Sequence, residues 1–530
     1  MGDFFMNPQL LLNVTIFLPL AGVITLLFFP KEKEQLIKIW ALFISLVTFL
    51  LSVPLFCSFR SGVSDIQFET LAVWIPAIGA NYRVGLDGIS ILLYMLTAFM
   101  IPIAILASFH AITYRVKEYM ITFLFLETGM LGVFSALDLV LFYIFWEAML
   151  IPMYLIIGIW GGPRRIYAAI KFVIYTMVGS ALMLAAILYL YFLNHNFTGI
   201  YTFDILKMYQ LSIPFGKQVW LFLAFALAFA IKVPLFPLHT WLPDAHVEAP
   251  TAGSIILAAV LLKMGTYGFL RFNLPIFPEA SLYFTQLFFI LAVIGILYGA
   301  LVSMVQDDIK KLVAYSSVAH LGFVMLGIFA MTVQGLQGGI LQMINHGLST
   351  GALFLAVGMI YERRHTRLIE DFGGISKSMP IFASLFLIVC LSSLGLPGTN
   401  GFVGEFLILV GTFMVNKTFA VLGTAGIIIA AVYLLWMYKR MMFGTITHEE
   451  NRKLVDLDLR EVVALISITI FIFWIGIYPS TFTQKTEASV NHLIQRVKKA
   501  QVNLQLENRV LDFKSFLSFL ADDNKQAGGK

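Results

Sequence analysis

Charged side chains within apolar runs are the residues of this sequence that could carry chemistry. Lys232 stands just before the prolines Pro234 and Pro237, Lys263 lies deep in the next apolar run, and Glu147 lies inside an earlier one. Burial disfavours the charged form of both side-chain types, whereas a nearby opposite charge favours it, so a change in their separation can switch a lysine between holding and releasing its proton. A Glu/Lys pair beside a flexible helix break is therefore a candidate gated proton carrier.

Histidines and one further carboxylate extend this candidate set. His320 and His346 lie in two later apolar runs, and an imidazole titrates near neutral pH, so it can relay a proton between two sites. Glu405 is buried in the run that follows 396–401. For the histidines, and for His239 and His246, a purely hydrogen-bonded structural role stays open.

Three other charged residues have a structural alternative. Glu127 fits either a proton relay or an interhelical hydrogen bond. Lys171 follows closely on a predicted helix start, which favours a structural ion pair or a side chain that reaches the membrane surface. Asp87, in the segment Val-Gly-Leu-Asp-Gly, is typical of a helix cap or a loop anchor.

The composition predicts an integral membrane protein. The chain has 530 residues, of which 59% are hydrophobic and 12% charged, with a mean hydropathy of +0.88. A net charge of +5 does not argue for a nucleic-acid partner. Cys57 and Cys390 stand alone in apolar runs, so no iron–sulfur or zinc site is visible, and no Gly-rich loop follows a strand. We expect this chain to bind no cofactor or metal.

Windows of about 20 apolar residues, the length that spans a bilayer, predict an all-α polytopic protein with about fourteen transmembrane helices. Loops after odd-numbered helices hold 18 of the 35 Lys and Arg residues, and loops after even-numbered helices hold 6. Only Lys171, Lys232 and Lys263 are assigned to the spans. By the positive-inside rule the odd loops are cytoplasmic and both termini lie on the periplasmic or outer side. The windows are 9–29, 39–59, 88–109, 119–136, 138–160, 167–193, 218–247, 252–270, 283–305, 312–331, 336–361, 379–415, 418–438 and 461–482.

An internal repeat relates the two central parts of the chain. The segment that leads from Asp138 to Glu147 corresponds to the one that leads from Lys311 to His320, which places helix 5 on helix 10. Helices 4–8 and 9–13 are then two units of five, and because five is odd the second is inverted in the membrane. Prolines break helices 7 and 12, as in transporters whose site lies at the midplane. The expected parts are N-terminal helices 1–3 (1–110), a first half (111–272), a second half (273–443), helix 14 (444–484) and a polar C-terminal tail (485–530).

Six motifs resemble the antiporter-like, proton-pumping membrane subunit M, or chain 4, of the type I NADH–quinone oxidoreductases (respiratory complex I). The resemblance covers roughly 80–485, and subunits L and N and Mrp-type cation/proton antiporter subunits share the architecture. The tail after 485 is longer than this family leads us to expect. The motifs are WEAMLIPMYLIIGIWGGPRR (146–165), KVPLFPLHTWLPDAHVEAPTAGS (232–254), LLKMGTYG (261–268), KKLVAYSSVAHLGF (310–323), MINHGL (343–348) and LPGTNGFVGEF (396–406).

The resemblance implies roles for the candidate residues. Glu147 and Lys232 would form the coupling pair of the first half-channel, Lys263 and His320 would lead toward the second, His346 would lie on the same axis, and Glu405 would be the exit-side carrier. NADH, FMN, iron–sulfur clusters and quinone would be bound elsewhere in the complex.

The resemblance also implies partners and a location. The partners would be other membrane subunits, including neighbours of the L and N types, and the lipid bilayer. The membrane would be the bacterial inner (plasma) membrane, with an organelle inner membrane or thylakoid as alternatives. The competing function is an Mrp-type cation/proton antiporter subunit.

Overall fold

The computed structural model describes residues 7–446 and 448–506 of the chain. Within this part, 12 helical segments are long and apolar enough to cross a membrane, which confirms the polytopic helical class. In chain order, the helices used below are α1 (Pro8–Leu27), α2 (Glu34–Ser58), α3 (Ile91–Ala111), α4 (Val116–Ser135), α5 (Leu139–Ala148), α6 (Leu150–Trp160), α7 (Arg165–Thr198), α8 (Phe215–Lys232), α9 (Trp241–Glu248), α10 (Thr251–Ile276), α11 (Thr285–Met304), α12 (Ile309–Ala330), α13 (Val333–Arg364), α14 (Pro380–Ser393), α15 (Asn400–Val415), α16 (Lys417–Met442), α17 (Leu459–Ile477) and α18 (Ser480–Leu506).

Each of the predicted windows overlaps one of these helices or a pair of them. Two windows have no counterpart among the 12 candidate spans. One, 119–136, corresponds to α4, which carries Glu127 in its interior, and the other, 379–415, corresponds to the shorter apolar helices α14 and α15. The number of fourteen spans stays a prediction.

The two predicted helix breaks separate α8 from α9 and α14 from α15. Pro234 and Pro397 lack the N–H that a continuous helix needs, so the chain opens at each. The same backbone pattern closes both helix ends: the Leu235 N–H donates to the Ala230 carbonyl (2.9 Å) and the Leu396 N–H to the Leu391 carbonyl (3.0 Å). At the first break the Trp241 indole also donates to the Ile231 carbonyl at 2.9 Å. Protein groups therefore take up polar backbone atoms that the breaks release.

A third interruption was not predicted. The single window 138–160 divides into α5 and α6 at Met149, two residues after Glu147. The signal is Pro152, which has no N–H for the carbonyl of Ala148 one turn earlier. Glu147 therefore lies beside a local opening of its own helix.

Two strands were also missed in the segment between helices 2 and 3. β1 (Gln67–Ile75) pairs antiparallel with β2 (Ala80–Leu86), and Gly79 has a positive φ of 67° at the turn that joins them. The run QFETLAVWI is rich in β-branched and aromatic residues, which favour strands. The all-α class holds for the spans, and the hairpin is an addition to it.

Helix α10 is continuous but contains two π-helical segments, Leu257–Leu261 and Phe269–Asn273, on either side of Lys263. Such bulges are frequent at functional sites. The second segment places Arg271 inside the helix, buried, where the sequence assigned it to a loop. Its guanidinium contacts both carboxylate oxygens of Asp87, at 2.8 and 2.6 Å. The set of basic residues within spans is therefore larger than the three predicted.

Matched backbone bridges support the predicted repeat. Before α5, the Leu139 N–H donates to the Phe203 carbonyl (2.9 Å); before α12, the Ile309 N–H donates to the Arg367 carbonyl (2.9 Å). Asp138 and Asp308 cap these two helices with their carboxylates. The positive-inside assignment puts the two bridges on opposite sides of the membrane, as inversion requires. The two-unit organisation itself stays a prediction.

The predicted amphipathic tail begins as α18, which turns one face inward. Val490, Leu493, Ile494 and Val497 are buried, with helical spacing, and the intervening residues are mostly exposed. The rest of the tail, and with it the C-terminus, lies outside the described residues.

Candidate functional site

The first cluster lies at the break between α8 and α9. Lys232 is the last residue of α8 and is buried, with its amine 5.1 Å from the centre of the Trp146 ring and 5.5 Å from that of Phe172. Within the described residues this amine has no hydrogen-bond partner. The Glu147 carboxylate, which is half-buried, acts on it electrostatically. The predicted Glu147/Lys232 pair thus interacts electrostatically without a hydrogen bond to the Lys232 amine in the described residues. Pro234 follows Lys232 by two residues, and the turn at Met149 follows Glu147 by two.

The second cluster is a chain of contacts across four helices. The Lys263 amine on α10 lies 2.6 Å from Nδ1 of His346 on α13, within hydrogen-bond distance, and also contacts the carbonyl of Ala258, within the first π segment. The ring centres of His346 and His320 are 5.7 Å apart. His320 Nδ1 lies 3.1 Å from Glu405 Oε1 on α15. Four predicted site residues therefore lie in series, in two hydrogen-bonded pairs whose imidazoles are 5.7 Å apart. We call this series the central axis: Lys263, His346, His320 and Glu405.

The far end of the central axis is held by amides. Gln342 donates to Glu405 Oε1 at 3.1 Å, and Asn345 donates to the carbonyl of Asn400, at the first residue of α15, at 2.7 Å. These two amides connect α13 to the helix that follows the second break. Neither Gln342 nor Asn345 was predicted, because a single amide side chain in an apolar run has no spacing pattern that marks it as functional.

A glycine brings α10 close to the first break. A Cβ atom on Gly265 would lie 2.6 Å from the Phe229 carbonyl oxygen and 2.9 Å from the Val233 nitrogen, so only glycine permits this approach. Gly265 is two residues from Lys263, and Val233 adjoins Lys232. The backbone thus places the two lysines on adjoining helices, although no direct hydrogen bond joins them in the described part of the chain.

His246 on α9 lies beside the central axis. Its ring stacks on Phe354 at 4.4 Å, neither ring nitrogen has a hydrogen-bond partner among described residues, and Lys310 and Lys263 both act on it electrostatically. Lys310 donates to the Ala249 carbonyl at 2.5 Å, just beyond α9. A cavity of about 450 Å³ opens here, on the side that the charge bias assigns to the cytoplasm.

The remaining candidates lie off the axis. Lys171 forms an ion pair with Asp244 at 2.7 Å, as its structural alternative predicted. His239 packs among aromatic rings, 5.0 Å from the centre of Tyr298. Glu127 is buried, and neither of its carboxylate oxygens has a hydrogen-bond partner in the described residues.

Asp87 caps and anchors, as predicted. Its carboxylate accepts from the Ile89 and Ser90 N–H groups, both at 3.0 Å. Burial raises the pKa of Asp87, but the Arg271 guanidinium and these hydrogen bonds outweigh burial and hold that pKa below its usual value.

No group of three or more His, Cys, Asp or Glu side chains that could hold a metal ion occurs among the residues the structure describes. The side chains of the central axis are instead proton donors and acceptors arranged in series. Such a series, buried between helix breaks, suits the transfer of protons across a membrane.

Comparisons with known proteins agree with this geometry. The family model described as NADH:quinone oxidoreductase/Mrp antiporter, TM matches residues 136–431. NADH-quinone oxidoreductase subunit M of Rhodobacter capsulatus is 48% identical over 499 residues, which cover 92% of this chain and 97% of that protein. A chain of respiratory complex I from Thermus thermophilus superimposes with a TM-score of 0.83 at 32% identity, over 92% of this chain and 99% of that one.

A chain of the Mrp complex from Dietzia sp. DQ12-45-1b superimposes with a TM-score of 0.77 at 19% identity, over 91% of this chain and 99% of that one. An identity this low carries the likeness of fold alone.

Proposed function

Since this chain belongs to the NADH:quinone oxidoreductase/Mrp antiporter family of membrane subunits, we propose that it is the proton-translocating membrane subunit of a NADH–quinone oxidoreductase. The observation that carries the proposal is the central axis, in which four buried titratable side chains lie in series as two hydrogen-bonded pairs whose imidazoles are 5.7 Å apart. Quinone reduction elsewhere in the complex drives the transfer.

Glu147 and Lys232 act as the coupling pair. The Lys232 amine has aromatic faces but no hydrogen-bond acceptor in the described residues, so the carboxylate is the group that stabilises its charge. The break at Pro234 on one side and the interruption at Met149 on the other allow the pair to change its separation. Separation favours the neutral lysine, and approach favours the ammonium.

Protons released in this half pass along the central axis. Lys263 hands a proton to His346, which passes it through His320 to Glu405. Each step joins neighbouring groups or needs one intervening water, and each keeps the proton on a titratable atom. His246, between Lys310 and Lys263, connects the axis to the cytoplasmic cavity.

The rest of the complex supplies partners and cofactors. The neighbours are other membrane subunits, with antiporter-like subunits of the L and N types adjoining this chain. NADH, FMN, iron–sulfur clusters and quinone are bound by other parts of the complex. The membrane is the bacterial inner membrane or its organelle counterpart, with both termini on the outer side.

An Mrp-type antiporter subunit is the alternative, favoured only by the shared fold. It predicts sodium or potassium flux driven by a pH gradient in sealed vesicles without NADH or quinone. Such flux would replace the proposal with the antiporter. Proton transport that requires electron transfer from NADH to quinone would support the proposal.

Replacing His320 by Gln in the assembled complex tests the role of the axis. We expect NADH-driven acidification of sealed vesicles to fall while the complex still assembles, because Gln keeps a hydrogen-bonding side chain but cannot carry a proton. The matched control is His195→Gln, near the end of α7, where the ring contacts Tyr201 edge-to-face with ring centres 3.7 Å apart. Undiminished pumping in the His320 variant would refute the assigned role.

A further inference from the structure

A narrow apolar cavity, the outer slot, lies between α2, α3, α13 and α17. Its volume is about 190 Å³, and its walls include Val53, Met95, Leu348, Trp474 and Phe482, with Cys57 at its edge. Apolar cavities of about 150 Å³ stay free of water and accept apolar ligands. This cavity therefore fits a hydrocarbon group and not an ion or a water chain.

The slot is accessible from the lipid side at the outer end of the spans. Cys57 and Trp474 are exposed, and they lie near the ends of α2 and α17 that the charge bias assigns to the outer leaflet. Aromatic pairs line the slot at both ends: Phe99 lies 5.5 Å from Phe49 and 4.7 Å from Phe471 at the deep end, and Phe56 lies 6.1 Å from Phe482 at the outer end. A helix with its side chains is about 10 Å wide, so the slot is too small for one.

A cation lies at the outer rim of the slot. The Lys485 amine is 4.5 Å from the centre of the Phe56 ring and 3.3 Å from the Phe59 carbonyl oxygen. Within the described part of the chain, the salt bridges include none that involves Lys485. Burial lowers the pKa of Lys485, which marks a desolvated cation that an external anion would stabilise.

We propose that the outer slot binds one glycerophospholipid of the outer leaflet, with an acyl chain between Val53 and Leu348 and the phosphate against Lys485. The apolar walls of the slot suit the acyl chain, and Lys485 at its outer rim suits the phosphate. A lipid of the outer leaflet presents the two groups in this order, with the chain deeper in the membrane than the phosphate. A free phosphate would use the lysine alone, and a free fatty chain the slot alone.

The lipid packs against the helix that carries His346. Ile344 and Leu348 line the slot, two residues before and two after His346 on α13. Two residues on a helix are about 200° apart, so the lipid and the central axis contact opposite faces of the same turn. Occupancy of the slot thereby supports the position of the imidazole.

Mass spectrometry of lipids retained by the washed, assembled complex tests the proposal. Val53→Trp fills the slot, and Lys485→Gln removes the charge while leaving the walls intact. We expect each variant to retain one phospholipid fewer per complex. The matched controls retain the full number: Leu50→Trp, exposed on the same face of the membrane helix α2, and Lys499→Gln, exposed on α18.

Maleimide labelling of Cys57 provides a second readout. In the wild-type complex stripped of lipid, added phosphatidylglycerol should slow labelling, and it should not do so in the Lys485→Gln variant. Equal phospholipid counts in all variants, or a side chain of a neighbouring subunit in the slot of the assembled complex, would overturn the proposal. The phospholipid count and the labelling rate of Cys57 are both measured without proton transport, so a failure of the lipid proposal is distinguishable from a failure of the proposed function.

Discussion

The two helix breaks share a backbone pattern but treat their charged residues differently. At the first, the Lys232 amine faces the rings of Trp146 and Phe172 and has no hydrogen-bond partner in the described residues. At the second, one oxygen of Glu405 accepts from both His320 and Gln342. A buried group without partners pays a desolvation cost that a hydrogen-bonded one recovers. We infer that the protonation state of Lys232 at the first break changes readily, whereas Glu405 at the second break is held in place as a hydrogen-bond acceptor.

The two halves are therefore not interchangeable, although the predicted repeat relates them. The first half is built so that one carboxylate, Glu147, decides the charge of Lys232. In the second half, two side chains, His320 and Gln342, share one acceptor oxygen of Glu405. We therefore propose that the first break serves coupling and the second serves proton delivery, and the variants below test these two tasks.

Replacing Glu405 should have the largest effect. Glu405→Ala removes the acceptor of two buried donors, each worth about 1–3 kcal/mol when left unpaired, so we expect both assembly and pumping to fail. Glu405→Gln keeps an acceptor oxygen but releases no proton, so assembly should survive while transfer along the axis slows by about 100-fold. Blue-native gels and vesicle acidification measure the two. Normal pumping in the Gln variant would show that Glu405 is only structural.

Replacing Lys232 by Met should separate stability from function. Met has a similar length and packs on aromatic rings, and the amine it replaces has no hydrogen-bond partner in the described residues, so the thermal stability of the complex should stay equal or rise. Pumping should be lost. Lys171→Met is the matched control, since it breaks the pair with Asp244 but leaves the axis intact, and it should keep pumping. Retained pumping in Lys232→Met together with lost pumping in Lys171→Met would contradict this contrast between the two breaks.

Gly265→Ala should act through the backbone. The added Cβ would meet the Phe229 carbonyl oxygen at 2.6 Å, and overpacking of this kind costs about 1–3 kcal/mol. Moving α10 away from the first break should slow pumping without removing a titratable group. Gly158→Ala is the control, because its Cβ would meet that of Ala169 at an ordinary 3.7 Å. Equal pumping and equal thermal midpoints for both variants would show that close approach is not required.

The two matched helix caps should give the smallest effects. Asp138→Ala and Asp308→Ala each remove a cap worth about 1 kcal/mol. We expect Asp138→Ala to cost more, because its buried carboxylate also accepts from the Asn81 N–H at 3.0 Å. The midpoint of thermal denaturation of the complex measures both. A larger loss for Asp308→Ala would contradict this ranking.

The positions of prolines and charged residues made the two helix breaks and the candidate site residues predictable from the sequence. Pro234 and the run 396–401 predicted both breaks, since a missing N–H acts locally. The scarcity of charge in apolar runs indicated the four charged candidate residues, and the near-neutral titration of imidazole added the two histidines. The interruption beside Glu147 was available from Pro152 by the same rule but was overlooked. Each of these signals lies within one turn of its consequence.

Other features depend on contacts between distant segments. The π segments around Lys263 have no local signature in an unbroken apolar run, and Arg271 could be placed inside a helix only through its distant partner Asp87. The pairing of His320 with Glu405 joins residues 85 positions apart. Sequence could name the members of the axis but not their order of contact.

The most direct test of the central axis is the number of protons moved per NADH oxidised by a Lys263→Met complex in sealed vesicles. Nζ of Lys263 lies 2.6 Å from Nδ1 of His346. We therefore predict that the Lys263→Met complex moves fewer protons per NADH than the wild type and that the Lys171→Met complex moves the same number. An unaltered number of protons per NADH in an assembled Lys263→Met complex would contradict transfer along this axis.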